Sequence, residues 1–575
     1  MTTIDHGVAA APVIAKFRTC RFSGLRIESG AEALIKANAV AAVLFLALGG
    51  LMGLLVALTR WPAVQMLPPD WFYLVLTGHG ANVLLFWIIF FEIAVLYFAS
   101  AVILGSRLAA PKVAWLAFVM MVVGAVMANY AVLRGDSTVM FTSYPPMMAS
   151  HWFYLSLIIF AVGALVAVFI FFWTLVIARN DNTYNGSVPL VTFGAITAGI
   201  IAVFTLASGA IILVPTWLWS LGLISGIDTL MYKVVWWGMG HSSQQINVSA
   251  HVSIWYAIGA MVLGAKPLSE KVSRMAFFMY ILFLQLASAH HILAEPGMSS
   301  TWKIVNTSYM MYLAVMGSMI HGLTVPGALE AAQRRNGYTR GAFEWLTKAP
   351  WGNPAFSGMF LSLVMFGFIG GISGVVLGTE QLNVLMHNTI YVPGHFHGTV
   401  VAGTTLAFMA MTFILVPLLF QRDIIWPGLA KWQPYVFGIG AGGISLFMMG
   451  AGTLGVPRRH WDMALTDAAH AFEYPAAAYL MMGLNGISAV AAAVGGVMFI
   501  VIVVASILAG PKLDVAGAKL TFPLHDKSRE AVSEYGSHGT LKLPGTIILV
   551  AIFFACFVLY YFVNWKYLSE LWLFR

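Results

Sequence analysis

Charged residues are scarce in this chain: Asp, Glu, Lys and Arg make up 9% of its 575 residues, whereas 60% are hydrophobic. A soluble protein of this length needs charge to cover its surface, so the composition argues against a soluble fold and for a lipid bilayer as the solvent. No water is available in a bilayer to satisfy backbone groups. Segments that cross it must therefore be helices or a closed barrel.

Cysteine is also rare, since Cys20 and Cys556 are the only two. Two cysteines at opposite ends of a chain argue against a disulfide framework and against a cysteine-based metal site. A short basic segment followed by a cleavable apolar stretch is missing too, because about 35 mixed residues precede the first apolar run. We therefore expect no signal peptide, with the first helix acting as the insertion signal.

The chain contains many long apolar runs. Their length matches that of membrane-spanning helices, about 20 residues. The alternation of about 10 residues that is typical of a membrane barrel is absent. We predict an all-α, polytopic membrane bundle with a cytoplasmic N-terminal tail, residues 1–36, and one membrane domain, residues 37–575. Its thirteen segments, called spans 1 to 13, are residues 37–59, 71–105, 113–133, 150–178, 189–220, 228–264, 275–294, 302–327, 355–378, 388–420, 434–454, 473–509 and 543–564.

The net charge is +8, and the Lys and Arg residues are divided unequally between the two sides of the predicted membrane bundle. With the N-terminus inside, most Lys and Arg residues fall in cytoplasmic segments, as the positive-inside rule requires. The exceptions are Arg60, Arg134, Lys233, Lys303, Arg458, Arg459, Lys566 and Arg575. This asymmetry predicts a cytoplasmic N-terminus and gives no reason to expect nucleic-acid binding.

Six histidines lie within the predicted spans, where an ionisable residue is a functional hypothesis by default. At about 1.5 Å per residue, four separate spans bring them all to the outer half of the bilayer. A single such histidine could be an ordinary helix-packing residue, but six that converge in depth indicate bound metals. They are His79, His241, His290, His291, His395 and His397.

The spacing of these histidines divides them into groups. Adjacent His290 and His291 are about 100° apart on a helix, so both can bind one metal only with a third ligand from another span, for which His241 is the natural candidate. Such an open three-histidine site suits Cu, Fe or Zn. His395 and His397 point to opposite sides of span 10, so they would serve two different haems, with His79 opposite one of them.

Four sequence strings resemble subunit I of the haem-copper oxidase superfamily, particularly its B-type branch, along nearly all of the chain after residue 35. The strings are residues 236–241 (WWGMGH), 289–291 (AHH), 387–397 (HNTIYVPGHFH) and 350–356 (PWGNPAF). The resemblance implies a bacterial or archaeal cytoplasmic membrane protein that holds two haems, expected to be of the b type, and one non-haem metal, Fe or Cu.

The resemblance also implies residue roles. His79 and His397 would bind the low-spin haem, His395 the high-spin haem, and the other three histidines the non-haem metal. Arg458 and Arg459 match a pair that contacts haem propionates, although on spacing alone they could be solvated loop charges. His387 matches a histidine near the same propionates.

One departure from the oxygen-reducing members decides the predicted function. Those members place a tyrosine four residues after the span-6 histidine, or six residues before the histidine pair, to supply an electron and a proton for O–O cleavage. The corresponding residues here are Gln245 and Leu284. Tyr280 is ten residues from His290, about 15 Å along a helix. Neither known placement is filled.

A second departure concerns a proton path from the cytoplasm. Hydroxyl positions of span 8 in the B-type branch correspond here to Gly317, Ile320 and Leu323, whereas Tyr256, another member of that path, is retained. Because isoleucine cannot relay a proton, we expect this path to be interrupted.

Together these departures resemble the nitric oxide reductases of the superfamily, which convert two NO, two electrons and two protons to N₂O and water. The familiar members have a glutamate at the Gln245 position, whereas a neutral amide cannot act as a general acid. Gln245 could bond a metal ligand or bound NO, with Gln244 and Asn247 adding polarity, or these amides could only line a wet cavity. Glu295 is either an outer entry point for protons or a simple surface carboxylate.

Two alternatives remain: a terminal oxidase that reduces O₂ without the tyrosine, and a catalytically silent haem protein. The sequence has no cytochrome c motif and no cupredoxin ligand set. Electrons are therefore expected from a separate subunit, a cytochrome c or a cupredoxin that docks on the outer face. The other expected partners are NO as the substrate and membrane lipid.

Overall fold

The computed structural model of the chain describes residues 16–284, 286–466, 469, 472–525 and 542–570. Residues 1–15 of the predicted tail and Arg575 lie outside these ranges. Within them, twelve helices are long and apolar enough to cross a membrane, which confirms the polytopic all-α bundle. They are Ser29–Arg60, Pro69–Val102, Pro111–Leu133, His151–Asn180, Leu190–Ser220, Thr229–Leu263, Ser300–Arg335, Pro354–Gly378, Tyr391–Phe420, Pro427–Thr453, Ala476–Ala509 and Pro544–Glu570. These helices correspond to predicted spans 1 to 6 and 8 to 13.

Predicted span 7 accounts for the difference between the thirteen predicted spans and the twelve spanning helices of the described residues. It consists of an α-helix, Glu270–Met279, a π-helical segment, Tyr280–Leu284, and a 3₁₀ turn, Ala289–His291. His290 and His291 lie in the 3₁₀ turn, so the backbone that carries them departs from regular α geometry. This region is therefore not one continuous α-helix in the described residues.

The first helix begins at Ser29, eight residues before the predicted start of the membrane domain. Ahead of it, strand Phe17–Thr19 pairs antiparallel with strand Arg26–Glu28. The Glu28 carboxylate accepts bonds from the backbone amides of Gly30 and Ala31, which caps the helix. The second half of the predicted tail is thus folded, whereas the division of the chain into a tail and a membrane domain stays a prediction.

The starts of the spanning helices follow local sequence signals. Proline occupies the first turn of the helices beginning at Pro69, Pro111, Pro354 and Pro427, where its missing amide costs nothing. Asp228 caps span 6 through the amide of Met231. Two short helices, Glu344–Thr347 and Glu380–Met386, lie between spans.

Several spanning helices contain π-helical segments, a feature that is frequent at functional sites. Two lie next to predicted haem ligands: Ala81–Trp87 begins just after His79, and His397–Thr405 begins at His397 itself. The others are Phe98–Val102, Val305–Met310, Phe366–Gly371 and Val416–Phe420.

Small residues bring neighbouring helices together, as expected in a membrane, where close van der Waals packing drives helix association. Spans 11 and 12 pack in this way. A side chain at Gly440 would clash with the backbone nitrogen of Ala492, and one at Gly495 would lie 2.5 Å from the backbone nitrogen of Phe437. Spans 3 and 4 repeat the arrangement, since Gly124 packs against the backbone of Phe160.

Gly440→Ala is expected to destabilise the protein by about 1–3 kcal/mol, because the new methyl group meets backbone that cannot move away. Thermal unfolding of the detergent-solubilised protein, followed by a thiol-reactive dye or by haem release, measures this effect. Gly428→Ala is the matched control, since it lies in the same helix with open space at its Cβ position. Equal stability of the two variants would contradict the packing argument.

Candidate active site

Three histidines meet at one point, as their spacing predicts. One ring nitrogen from each of His241, His290 and His291 lies within 4.8 Å of the others, close enough to hold a metal ion. The rings of His241 and His290 are nearly perpendicular, at 87°, with centroids 4.2 Å apart. Trp237 stacks on His291 at 3.7 Å and fixes its plane. The set supplies three imidazole ligands and leaves further coordination positions open.

His79 and His397 face one another across a gap. Their ring centroids are 6.4 Å apart and their planes differ by 19°. An imidazole nitrogen lies about 2 Å from a bound transition metal, so two rings on opposite sides of one iron have centroids roughly 6 Å apart. The Nδ1 atoms bond to the carbonyl oxygens of Gly49 at 2.8 Å and Pro393 at 2.6 Å, which leaves both Nε2 atoms for the metal.

His395 is oriented in a similar way, but toward another side of span 10. Its Nδ1 lies 2.9 Å from the hydroxyl of Ser373 on span 9. His290 has the same arrangement with the carbonyl oxygen of Ala287, at 2.8 Å. Four of the six histidines therefore have one ring nitrogen held by the protein and the other free, the usual state of a metal ligand.

One internal cavity of about 1090 Å³ contains all these groups on its wall. Its lining is mostly apolar, and the six histidines, Gln244, Gln245, Arg458 and Arg459 are among its polar lining residues. Two glycines keep space beside the rings: a side chain at Gly53 would lie 2.6 Å from His79, and one at Gly374 would lie 3.1 Å from His395. The donors and the space fit two haems and one non-haem metal.

Gln245 lies at the metal end of this cavity. Its amide nitrogen is 3.0 Å from Nδ1 and 3.2 Å from Nε2 of His241, and the residue is 3% exposed. The described ring contacts of the three histidines are with one another and with Trp237. An amide thus adjoins the metal ligand where the resemblance places a tyrosine in oxygen-reducing members.

The other two amides of span 6 have different positions. Gln244 lies on the cavity wall, and its side-chain oxygen is buried without a hydrogen-bond partner among the described residues. Asn247 does not line the cavity; it contacts Glu92 of span 2 instead. The structure therefore brings two of the three predicted amides to the cavity.

The predicted propionate-binding residues form a charged layer at the outer end of the cavity. A backbone bond from Arg458 to the carbonyl oxygen of Asn388, at 2.9 Å, ties the arginine loop to the start of span 10. Arg459 lies over the Tyr144 ring. Burial, together with the nearby Arg458 guanidinium, lowers the pKa of His387 to about 4, so His387 is neutral at pH 7.

Glu295 belongs to this outer layer and is not an isolated surface carboxylate. Its side chain pairs with Lys233 of span 6 at 2.7 Å. The neutral His387 lies 3.7 Å away, too far for a strong hydrogen bond. The structure thus connects Glu295 with the cavity mouth, while its predicted proton role stays a prediction.

Tyr256 lies elsewhere, in a hydrogen-bonded group below the cavity. Its hydroxyl contacts Thr324 at 2.7 Å, and Ser273 and the Nδ1 of His321 at 3.1 Å each. Beside it, the Tyr280 ring is tilted by 42° against the His321 ring, with centroids 5.6 Å apart, and its hydroxyl bonds to that of Ser318 at 3.1 Å. Both Tyr280 and Ser318 line the main cavity.

The interrupted path on span 8 stays a prediction, but span 8 also carries polar groups that this prediction left out. Ile320 and Leu323 do face the cavity, but Ser318, His321 and Thr324 supply hydrogen-bonding groups one position further along the helix. Sequence reasoning missed these three because it considered only the aligned positions. Their spacing of three residues on one helix face, and a histidine inside a span, are the signals that could have found them.

A multi-helix membrane bundle that brings six histidines to one apolar cavity defines the chain as a membrane-bound metal- and haem-dependent oxidoreductase. The profile of the family "Cytochrome C and Quinol oxidase polypeptide I" matches residues 33–494. The chain belongs to this haem-copper oxidase subunit I family, whose members bind haems and a copper or iron centre and cross the membrane many times.

Individual relatives agree with this family. The cytochrome c oxidase subunit 1 of Thermus thermophilus is 32% identical over 439 residues, which cover 73% of this chain and 74% of the relative. The quinol oxidase subunit 1 of Bacillus subtilis is 22% identical over 80% of this chain and 69% of its own length. A solved heme-copper terminal oxidase dimer is similar with a TM-score of 0.79 and 26% identity, over 94% of this chain and 92% of its own.

His241→Ala is expected to reduce the non-haem metal content of the purified protein at least tenfold while both haems remain, because the haem ligands lie on other helices. Metal analysis together with the reduced-minus-oxidised haem spectrum measures both. His151→Ala, at the start of span 4 and away from the cavity, is the control. A full metal complement in His241→Ala would contradict the three-histidine site.

Proposed function

We propose that this chain is the catalytic subunit of a membrane nitric oxide reductase, which converts 2 NO, 2 electrons and 2 protons to N₂O and water. The observation that supports this choice is Gln245, whose buried amide adjoins His241. A glutamine supplies neither an electron nor a proton, and O–O cleavage requires both from the residue at this position. The coupling of two NO molecules breaks no O–O bond and needs only two electrons.

The roles of the residues follow from their positions. His79 and His397 would hold one haem, His395 the second, and the three-histidine cluster the non-haem metal. When bound, these groups would supply electrons and bind the gas. The apolar walls exclude bulk water and admit a small neutral gas, and Gln245 orients His241 or donates a hydrogen bond to an oxygen atom of the substrate.

The polar group around Tyr256 offers protons a route toward the main cavity. A small cavity of about 170 Å³ is lined by Tyr256, Lys266 and Glu270, and the charge distribution assigns this end of the bundle to the cytoplasm. From Tyr256, hydrogen bonds lead to His321, and Tyr280 lies next to His321 on the main cavity wall. We infer that protons enter here rather than only through Glu295.

A terminal oxidase is the second candidate, and two observations favour it. The matched relatives and the similar solved structure bear oxidase names, so the comparisons favour the oxidase over the reductase. Tyr280 also lies on the cavity wall with its hydroxyl bonded to Ser318, although it is not among the described ring contacts of the metal-binding histidines. In either case electrons would come from a separate donor on the outer face.

The two candidates predict different gas consumption. We expect the reduced, purified protein to consume NO anaerobically with one N₂O formed per two NO, and to consume O₂ much more slowly. An NO electrode combined with gas chromatography measures the first activity, and an oxygen electrode the second. Rapid O₂ consumption with negligible NO consumption would instead establish the oxidase and exclude our proposal.

Gln245→Tyr tests the same residue directly. It should not raise NO turnover, and we expect a loss of about tenfold or more, because the substitution removes the amide beside His241 and puts a bulkier ring in a buried position. The haem and metal content serves as the control for assembly. A variant with normal metal content and increased NO turnover would refute the role given to Gln245.

Tyr256→Phe tests the proton route. Loss of the hydroxyl separates Ser273, His321 and Thr324, so turnover should fall about 10- to 100-fold with unchanged haem content. Tyr97→Phe is the matched control, because the Tyr97 hydroxyl is buried without a partner among the described residues. Equal turnover of the wild type and Tyr256→Phe would show that protons take another route.

A further inference from the structure

Glu92 is a carboxylic acid in the middle of the bundle to which neither the metal site nor the Tyr256 group assigns a role. It lies on span 2, about 20 Å along the helix from His79. It is 5% exposed, and Phe90, Phe91 and Ile93 around it are fully or almost fully buried. Because an ionisable group costs several kcal/mol at such a depth, its presence calls for a function.

No described cation lies beside the Glu92 carboxyl group. Within the described part of the chain it has no ion-pair partner, and its polar contact there is with the side-chain amide of Asn247. Two other buried carboxylates differ: Glu32 pairs with Arg18 and Lys36, and Glu330 pairs with Arg334. Those two carboxylates lie beside cations, whereas no cation among the described residues holds the Glu92 carboxyl group in its ionised form.

Asn247, the polar partner of Glu92 among the described residues, accommodates both protonation states. With its nitrogen turned toward span 2, the Asn247 amide donates to Oε1 of Glu92 at 2.7 Å and to the carbonyl oxygen of Ser243 at 3.1 Å. If Glu92 is protonated, its hydroxyl can donate to the amide oxygen in the opposite orientation. A contact that survives in either state is what a reversible proton acceptor requires.

Asn247 also connects Glu92 with the main cavity. It lies three residues after Gln244 on span 6, and residues at this spacing are neighbours on a helix surface. Gln244 lines the cavity, and its buried side-chain oxygen has no hydrogen-bond partner in the described residues. The two amides thus form a polar strip on the helix that also carries His241.

We propose that Glu92 is an internal proton-holding residue that exchanges one proton with the cavity along the Asn247–Gln244 strip. The carboxylate takes up one proton when the donor reduces the centre. It gives that proton, through water bonded to the two amides, to the oxygen atom that leaves as water. This inference rests on the reduction of a gas to water at the histidine cluster, not on the choice between NO and O₂, because both reactions consume protons.

The test is infrared difference spectroscopy of the full chain with its bound haems and metal, between the oxidised and reduced states. A protonated carboxylic acid has a C=O stretching band that a carboxylate lacks. We expect such a band in the wild type, its loss in Glu92→Gln and its shift in Asn247→Leu. Glu32→Gln is the matched control, because this carboxylate is also buried but is paired with two cations, Arg18 and Lys36.

Turnover gives a second measurement. Glu92→Gln should consume gas at least tenfold more slowly than the wild type, with unchanged haem and metal content. A carboxyl band that is absent from the wild type, or that persists in Glu92→Gln, would overturn the proposal. Since the spectrum requires no substrate, this outcome is independent of whether the enzyme reduces NO.

Discussion

Two histidines that are two residues apart on one helix set the arrangement of the whole site. Because His395 and His397 point to opposite sides of span 10, each needs its own partners from different helices. His397 faces His79 of span 2 at 6.4 Å, and His395 faces the cavity shared with His241, His290 and His291. Spans 2, 6, 7 and 10 must therefore surround one space, and the small residues between other helices allow the bundle to close around it.

The absence of water in a bilayer explains why so many side chains of this protein have defined partners. Each buried polar group needs a hydrogen bond, and four of the six histidines obtain one from a carbonyl or hydroxyl oxygen that also aims the free nitrogen. Glu92 and the Tyr256 group also satisfy this requirement, but their hydrogen bonds orient none of the six histidines. We regard these two groups as the inner route and an internal store for protons.

Family membership and substrate depend on different parts of the molecule. The fold is shared with oxidases, and the similarity extends along most of the chain. The substrate depends on a few side chains next to the metal, where Gln245 is the main departure. Overall similarity therefore favours an oxidase, whereas the chemistry of one amide favours NO reduction.

The sequence by itself determined the membrane class, the positions of twelve of the thirteen predicted spans to within eight residues at either end, and the grouping of the six histidines. These features follow from local rules: apolar runs of membrane length, proline at helix starts, and the angle between residues on a helix. The irregular backbone before His290, the folded segment ahead of Ser29 and the contacts of Tyr256 with His321 and Thr324 did not follow from such rules. Nor did the contact between Glu92 and Asn247. They depend on how helices distant in sequence pack side by side, and only the tertiary structure decided which polar side chains meet.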